Sequence, residues 1–421
     1  MAAGTPIEKG RSPFCPGRPV PPEMFVGRDS QIKRVLRAVR QTTAGKQENL
    51  FVTGEYGIGK SSLVSYVRFV AEEDKDLIGF HVFLGGVTSV DGMVQQVVSR
   101  IIQHAHRSKI LEKVRDYLGK YCQSVELFGV RLNMEALRRD APEIAQNFLP
   151  FLRQIWHDLS DEYRGIALYL DDLNGLAGDP GFAALLKSLV DEIATSGEEL
   201  PLLLALVGVP ERRLEIVANQ RPVERIFDIV EVSPLDEQEV GAFFRTAFRS
   251  ANMEIHEDAL EPLVHYSGGL PKLMHELGEA VFWLDDDSVV DLDDAMRGLV
   301  EAADVVGGKY FEHIRRAVRS SDYHSIIRKL GDLRSDLRFA RADLAKGLSD
   351  EERRKLGNFL QRMKKLHALH RGEFQGEWIF PNRLVQFYLV LEAAKEQGTN
   401  AIRLPNGVIR RTARRQGRRR R

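Results

Sequence analysis

A glycine-rich segment between a predicted strand and a predicted helix constrains this fold more than any other feature. The strand candidate is Leu50–Thr53, an amphipathic helix follows, and the segment between them reads Gly54-Glu55-Tyr56-Gly57-Ile58-Gly59-Lys60-Ser61. It fits G-x-x-x-x-G-K-[ST], in which glycines let backbone N–H groups converge on phosphate oxygens at the positive end of a helix. We therefore predict a phosphate-binding loop (the P-loop), rather than a glycine-rich turn with an incidental Lys-Ser. Lys60 would neutralise the β- and γ-phosphates, Ser61 would bind Mg²⁺, and Ser62 would be a further binding residue.

Two consecutive carboxylates follow another apolar strand candidate, Ile166–Leu170. A Mg²⁺ ion held by phosphates needs a further carboxylate at the end of a neighbouring strand. Asp171 is predicted to hold this ion, through water, and Asp172 to polarise the attacking water as general base. The alternative is a strand-end turn with solvated acids, and the P-loop upstream favours the catalytic interpretation.

The first half of the chain has the pattern of an α/β protein. After an irregular lead-in (residues 1–23), apolar runs alternate with helical spacing, which is typical of a parallel sheet. The strand candidates are Leu50–Thr53, Phe80–Leu84, Ile166–Leu170, Leu202–Val207 and Ile226–Val232. The stretch 109–149 is long for one crossover and is predicted to add helices. This pattern predicts a P-loop core over residues 24–233.

Two further domains are predicted after Ser233, where the strand signal stops. Residues 234–308 are predicted to form an all-helical lid that opens with a capping box of Asp236 and Glu239. Residues 309–395 have the outline of a winged helix-turn-helix, with a hairpin at 370–380. In this hairpin Phe374 and Trp378 are predicted core residues, because they alternate with other apolar side chains.

Composition limits the class of protein. The chain has 421 residues, of which 43% are hydrophobic and 29% are charged, so it has material for several cores. Its two cysteines, Cys15 and Cys122, are too few for a disulfide framework or a structural zinc site. The longest apolar run, Leu200–Pro210, is about half of the ~20 residues that a membrane span needs, and no secretory signal is visible. We expect a cytoplasmic protein, with association with the nucleoid an open alternative, and no membrane partner.

The zero net charge hides an asymmetry. Residues 397–421 contain nine arginines and no Lys, Asp or Glu, which leaves a net charge of −9 on residues 1–396. Clustered cations displace counterions from a phosphate backbone, so this basic tail (396–421) predicts a nucleic-acid partner. The alternative is a solubilising tail, or one that docks on the acidic body.

Four motifs carry a family resemblance: Met24–Asp29, the P-loop, Tyr169–Leu173 and Gly268–Lys272. Together they resemble AAA+/STAND-type ATPases, particularly the archaeal replication-initiator (origin-recognition-like) and signal-transduction branches. The resemblance implies ATP and Mg²⁺ as cofactors and a sheet of order 5-1-4-3-2 that places Asp171 beside the P-loop. It also implies that Phe25, Val26, Gly27 and Arg28 lie beside the adenine. Lys272, after Pro271 in the lid, would take the sensor-2 position and reach the γ-phosphate.

The sequence departs from that family in three places. Asp172 stands where many members have glutamate, a polar sensor-1 residue is missing from Leu206–Val209, and Lys272 replaces the commoner arginine. These departures favour a slow switch over a fast motor. Four residues are candidates for an arginine finger, and the sequence does not choose among them: Arg212, Arg213, Arg221 and Arg225.

Two functions stay open from the sequence. The first is a DNA-associated ATPase of replication, transposition or mobile-element and defence type, which switches or assembles as an oligomer. The second is a signalling or scaffold ATPase whose nucleotide is mainly structural and whose winged helix docks a partner protein. A P-loop kinase or transporter subunit is disfavoured by the helical lid and by the lack of a transporter signature.

Overall fold

The computed structural model describes residues 9–74, 76–105, 141–142, 145–317, 321–332, 337–381, 385–386, 388–389, 401–404 and 407–410. The predicted extra helices of 109–149 and the arginines beyond Arg410 lie largely or wholly outside these residues. The chain divides into two compact units. One comprises residues 19–233, and the other comprises residues 1–18 with 234–421. Among the described residues, no helix is long and apolar enough to cross a membrane.

A five-stranded parallel sheet forms the centre of the unit 19–233. Its strands are β1 (Glu48–Thr53), β2 (Ile78–Phe83), β3 (Ile166–Asp171), β4 (Leu202–Gly208) and β5 (Asp228–Glu231). Their order is β2-β3-β4-β1-β5, with every neighbouring pair parallel. This confirms the predicted order 5-1-4-3-2. β3 and β4 are buried along their whole length, which explains why they are nearly continuous apolar runs in the sequence.

Seven helices of this unit have described bounds: α1 (Asp29–Thr43), α2 (Lys60–Glu73), α3 (Val90–Ala105), α4 (Phe148–Leu159), α5 (Pro180–Thr195), α6 (Pro210–Asn219) and α7 (Val223–Ile226). The apolar faces of α3, α4 and α5 share one core with the sheet strands. The predicted last strand, Ile226–Val232, is shorter in the structure because α7 takes up its first residue.

Four helices begin the C-terminal part of the second unit: α8 (Glu237–Ser250), α9 (Glu257–Ser267), α10 (Pro271–Leu284) and α11 (Leu292–Val306). The predicted capping box is present, since Asp236 accepts from the Glu239 N–H and Glu239 accepts in return. The structure adds a short parallel pair to this region: β6 (Glu254–Ile255) and β7 (Val289–Val290).

The lead-in is more ordered than its sequence indicates, because Phe14 anchors it to the helices of this unit. The Phe14 ring is 4% exposed, and its centroid lies 5.1 Å from that of Phe248 and 6.3 Å from that of His275. The Cys15 N–H donates to Nδ1 of His275 at 3.1 Å. Gly278 makes room for the ring, since a Cβ there would lie 2.1 Å from a Phe14 carbon.

The helical run does not end at Gly308, where the sequence predicts the end of the lid. It continues from α11 through a π-helical turn, Gly307–Phe311, into α12 (Glu312–Ala317). Gly307 stays in the helix because its missing side chain admits the Tyr388 ring, which a Cβ would approach to 2.1 Å. The two glycines therefore do not break the helix here, and Gly307 serves packing.

The next elements are α13 (Ser321–Asp332), β8 (Arg338–Ala340), α14 (Arg341–Lys346), α15 (Asp350–Lys365), β9 (His370–Arg371) and β10 (Glu377–Ile379). The strands form an antiparallel sheet of order β8-β10-β9. Trp378 is buried as predicted, but the prediction for Phe374 is wrong, because its side chain is 72% exposed at the hairpin turn. The part of the predicted winged helix that follows β10 lies in part outside the described residues.

Part of the basic tail forms a hairpin of β11 (Ala401–Leu404) and β12 (Gly407–Arg410). The pairing register places Ala401 opposite Arg410 and Arg403 opposite Val408. Two of the nine tail arginines therefore lie on paired strands.

Burial of His275 predicts an acid-sensitive helical region. Burial lowers the pKa of His275 from 6.5 to about 4. The unfolded chain then binds the extra proton first as pH falls through 6.5, so the folded state loses stability until the pH reaches about 4. We expect the free energy of unfolding to fall by about 2 kcal/mol more between pH 7 and pH 5 in the wild type than in His275→Gln.

The measurement is urea unfolding followed by Trp283 fluorescence, with the other two tryptophans replaced by phenylalanine in both proteins. Parallel pH profiles for the two proteins would contradict the assignment of this acid sensitivity to His275.

Candidate active site

The P-loop joins β1 to α2, and its backbone needs glycine at three places. Gly57 and Gly59 have φ angles of 81° and 96°, which side-chain-bearing residues rarely adopt. Gly54 lies against the chain that follows β5, where a Cβ would approach the Val232 carbonyl oxygen to 2.4 Å. Gly59 is the N-cap of α2, and no side chain caps the helix there. The first N–H groups of α2 thus have the arrangement that binds anions at helix N-termini.

Lys60, the first residue of α2, lies across the P-loop. Its Nζ donates to the carbonyl oxygens of Gly54 at 2.9 Å and Glu55 at 2.8 Å. Burial lowers the pKa of Lys60, while Asp171 and Asp172 act in the opposite direction and favour the charged form. The ammonium and the two acids are therefore electrostatically coupled.

Asp171 ends β3 and is 3% exposed. Its register partner on β4 is Val207, one residue before Gly208, which pairs with Thr53 of β1. Asp171 and the P-loop accordingly lie at the same edge of the sheet, with β4 between their strands, rather than on adjacent strands. Neighbouring strands are about 4.8 Å apart, so β1 and β3 are separated by roughly 10 Å.

A histidine that the sequence analysis missed contacts Asp171. Nε2 of His81, on β2, lies 2.9 Å from Oδ2 of Asp171, and its Nδ1 lies 3.3 Å from Oγ of Ser65 on α2. The one signal in the sequence is a polar residue inside an apolar strand candidate. That signal gives no partner, because His81 and Asp171 are 90 positions apart.

Asp172 has a left-handed backbone, with φ at 63°. Its Oδ1 accepts a hydrogen bond from the side-chain amide of Asn174. Its other oxygen lies over Gly85, where a Cβ would approach it to 2.8 Å. The second carboxylate is thus held beside the turn that follows β2.

The segment predicted to lie beside the adenine contacts the P-loop and α2. The Phe25 ring stacks on Tyr66 of α2, with centroids 4.8 Å apart. The buried Arg28 guanidinium donates to the Ile58 carbonyl oxygen at 3.0 Å and to that of Ser233. Gly27 and Arg28 have φ angles of 67° and 69°, so the chain turns sharply here. The adenine contact of Phe25–Arg28 stays a prediction.

The other side chains in and after the P-loop differ in burial and in hydrogen bonding. Ser62 Oγ accepts from the Val20 N–H at 3.3 Å. Tyr56 is 74% exposed, and Ile58 is buried in the core.

Pro271 and Lys272 begin α10, in the other unit. Burial lowers the pKa of Lys272, Glu276 raises it, and Lys309 lowers it further. Glu276 is itself buried and accepts from Lys309 Nζ at 2.9 Å. The sensor-2 role of Lys272 stays a prediction.

The candidate arginine fingers fall into two groups. Arg212 pairs with Glu215 at 2.7 Å and Arg213 with Glu224 at 3.7 Å. Arg221 and Arg225 are exposed, and neither forms an ion pair within the described part of the chain. β4 ends in buried apolar residues, so it supplies no polar side chain toward the site.

The donor set suits Mg²⁺. A hydroxyl on Ser61 and a carboxylate on Asp171 are hard oxygen ligands, the kind that Mg²⁺ takes together with phosphate oxygens. The described residues contain no group of three or more His, Cys, Asp and Glu side chains that could hold a metal by themselves. A cation at this site would therefore depend on phosphate oxygens for most of its ligands.

Comparison with known proteins shows what this chain is similar to. Residues 24–205 match the family model described as AAA ATPase domain. The fold is similar to the ORC2 protein of Aeropyrum pernix, with 12% identity, 91% of this chain and 95% of that chain covered, and a TM-score of 0.55. The Walker-type ATPase of Pyrococcus abyssi has 18% identity over 87% of this chain and 96% of that chain, with a TM-score of 0.48. A search of curated proteins finds no match.

Residues 24–205, which contain the P-loop, Asp171 and Asp172, are thus similar to the AAA ATPase domain. This match confirms the sequence prediction of a P-loop ATPase.

Arg28 offers a test of how the P-loop is held. Arg28→Ala removes the hydrogen bonds to the Ile58 and Ser233 carbonyl oxygens, each worth about 1.5–3 kcal/mol when the donor is charged. We expect the Kd for a fluorescent ATP analogue to rise about tenfold or more. Arg34→Ala is the control, since Arg34 pairs with Asp228 at the surface. Equal affinities for both variants would show that Arg28 does not organise the loop.

Proposed function

We propose that this protein is an ATP-driven conformational or assembly switch with slow turnover that acts on DNA. The observation that carries the ATP site is the P-loop backbone, with Lys60 across it, at the same sheet edge as the consecutive carboxylates Asp171 and Asp172. Amides, one cation and two acids are the groups that phosphoryl transfer to water requires.

Each group has a distinct task in this proposal. The P-loop amides and Lys60 bind and orient the phosphates. Ser61 and Asp171 hold Mg²⁺, which supplies charge neutralisation at the β- and γ-phosphates when it is bound. Asp172 orients and polarises the attacking water as general base.

Two structural features support slow turnover. Asp172 has a shorter side chain than glutamate, and its carboxylate accepts a hydrogen bond from Asn174. The end of β4 is apolar, so it adds no polar group to position water. Both features reduce the precision with which the water is held, and orientation contributes much of the rate in this chemistry.

Assembly is proposed to complete the site. Arg221 and Arg225 are the better candidates for an arginine finger, because Arg212 and Arg213 already have carboxylate partners. Lys272 is proposed to sense the γ-phosphate from the helical lid. A homo-oligomer or a partner protein would supply the neighbouring subunit.

A winged helix that binds DNA is proposed for residues 309–395. The order of helices and strands from α13 to β10 and the sheet order β8-β10-β9 support it. The two halves of α15 differ in how their charged residues are paired. Arg353 and Lys355 in its first half pair with Asp350 and Glu351.

The last turn of α15 has a different charge distribution. Arg362, Lys364 and Lys365 are exposed and form no ion pair within the described residues, and His370 and Arg371 follow on β9. This set of residues, the α15 basic end, contains no acid and has the charge that phosphate groups attract.

A second function is favoured by Phe374. An aromatic ring that is 72% exposed at the tip of the 370–380 hairpin is a typical anchor for a protein partner. A STAND-like signalling or scaffold role, with a mainly structural nucleotide, is therefore the alternative proposal.

The deciding experiment is steady-state ATP hydrolysis by the full chain with and without duplex DNA. Lys60→Ala removes the charge that orients the phosphates, so we expect ATP binding or turnover to be lost. Turnover that DNA stimulates and that depends on Lys60 supports the switch on DNA. ATP that is bound but not hydrolysed, with or without DNA, supports the scaffold alternative. Unchanged hydrolysis by Lys60→Ala would remove the assigned site.

The two basic surfaces can be tested separately. Replacing Arg362, Lys364 and Lys365 with Gln should weaken binding to a random-sequence duplex and reduce its log–log salt slope by about 3, since each phosphate that is no longer neutralised lowers the slope by roughly 0.9. Deletion of residues 397–421 should flatten the slope as well. The control is Arg353→Gln with Lys355→Gln, since those cations already have partners. A salt slope that no variant alters would contradict DNA binding by both the α15 basic end and the basic tail.

A further inference from the structure

Three polar side chains form a hydrogen-bonded chain next to the candidate site. It runs from Ser65 on α2 through His81 on β2 to Asp171 on β3. His81 is 4% exposed and Asp171 3% exposed, so both are removed from water. Burying a polar pair costs free energy that apolar residues of similar size would not cost. The cost of burying this pair indicates that the His81–Asp171 hydrogen bond has a role besides packing.

The hydrogen bonds determine which nitrogen carries the proton. A carboxylate only accepts, so Nε2 of His81 must donate to Asp171 Oδ2. In the neutral ring Nδ1 is then an acceptor, and the Ser65 hydroxyl donates to it. Each hydrogen bond of the chain therefore has one direction: Ser65 donates to His81, and His81 donates to Asp171.

Aromatic contacts hold the imidazole plane. The Phe83 ring stacks on His81 with centroids 4.4 Å apart and an interplanar angle of 28°. Tyr169 meets the imidazole edge-on, at 6.3 Å and 64°. The direction of the Nε2–H bond is thus set by packing as well as by hydrogen bonding.

The same chain joins the two elements that carry the proposed Mg²⁺ ligands. Ser65 follows Ser61 by four residues, so both lie on one face of α2. His81 therefore links the helix that presents the Ser61 hydroxyl to the strand that presents the Asp171 carboxylate. It also engages only Oδ2 of Asp171, and among the described residues no donor reaches Oδ1.

We propose that His81 is a positioning residue that orients the Asp171 carboxylate so that Oδ1 is presented to Mg²⁺, with Ser65 fixing the His81 tautomer. The inference rests on the proposed ATP site. Hydrogen-bond partners of metal-ligating carboxylates typically change metal affinity or activity by 10–100-fold when they are replaced.

The test measures nucleotide binding without turnover. The Kd of the full chain for a fluorescent ATP analogue is measured in excess Mg²⁺ and in EDTA, and the ratio of the two values is the Mg²⁺ enhancement. For His81→Leu we expect this enhancement to fall about tenfold, with the Kd in EDTA nearly unchanged. Tyr169→Phe is the control, since it keeps the ring beside His81 and removes a buried hydroxyl that has no hydrogen-bond partner among the described residues, so its enhancement should match the wild type.

Two conservative variants separate positioning from packing. Gln at position 81 places its amide nitrogen where Nε2 lies and can still donate to Asp171. Asn is shorter and places its amide near Nδ1. We expect His81→Gln to keep most of the Mg²⁺ enhancement, His81→Asn to lose it, and Ser65→Ala to fall between them. This comparison also decides the case in which His81→Leu does not fold.

The outcomes are distinct. A Kd that rises equally in Mg²⁺ and EDTA for every His81 variant would show a packing role only and overturn the proposal, as would equal enhancements for the Gln and Asn variants. A wild-type protein that binds no nucleotide under either condition would instead refute the ATP site on which the inference rests.

Discussion

Parallel hydrogen bonding among five strands is the constraint on which the functional site depends. Because all the strands run in one direction, their carboxyl ends meet at one edge, where the P-loop follows β1 and Asp171 ends β3. Parallel sheets require both faces to be covered, and the helices that cover them supply the core. α2 is one of these helices, and its N-terminus brings the backbone N–H groups and Lys60 to the same edge.

The charge balance at this edge is set by opposing effects on Lys60. Burial disfavours its charged form, and the nearby carboxylates favour it. The acids are themselves restrained, Asp171 by His81 and Asp172 by Asn174. A site whose charged groups are held by neighbours before a ligand arrives needs little reorganisation when phosphate binds.

In the second unit, the packed interior and the charged surface of α15 are formed by different residues. Phe14 and Gly307 show that its interior is closely packed. The Phe14 ring fills the space that Gly278 leaves, and the Tyr388 ring fills the space that Gly307 leaves. The surface of α15 is organised differently, with its acids in the first turn and three exposed cations, but no acid, in the last turn. That polarity agrees with the helix dipole, and the last turn is the cationic surface that we propose binds DNA.

The sequence by itself determined the P-loop and the paired acids, because each is encoded in a short segment, whereas the order of the strands was implied only by the resemblance to AAA+/STAND-type ATPases. Only the tertiary structure decided the partners of these residues. His81 meets Asp171 across 90 positions, and no local pattern reports a contact between strands so far apart. Alternation predicted Phe374 as core, yet a hairpin turn directs that side chain into solvent, since period-2 spacing applies only within a strand. Short segments determine motifs such as the P-loop, whereas the burial and the contacts of a side chain depend on how distant parts of the chain pack together.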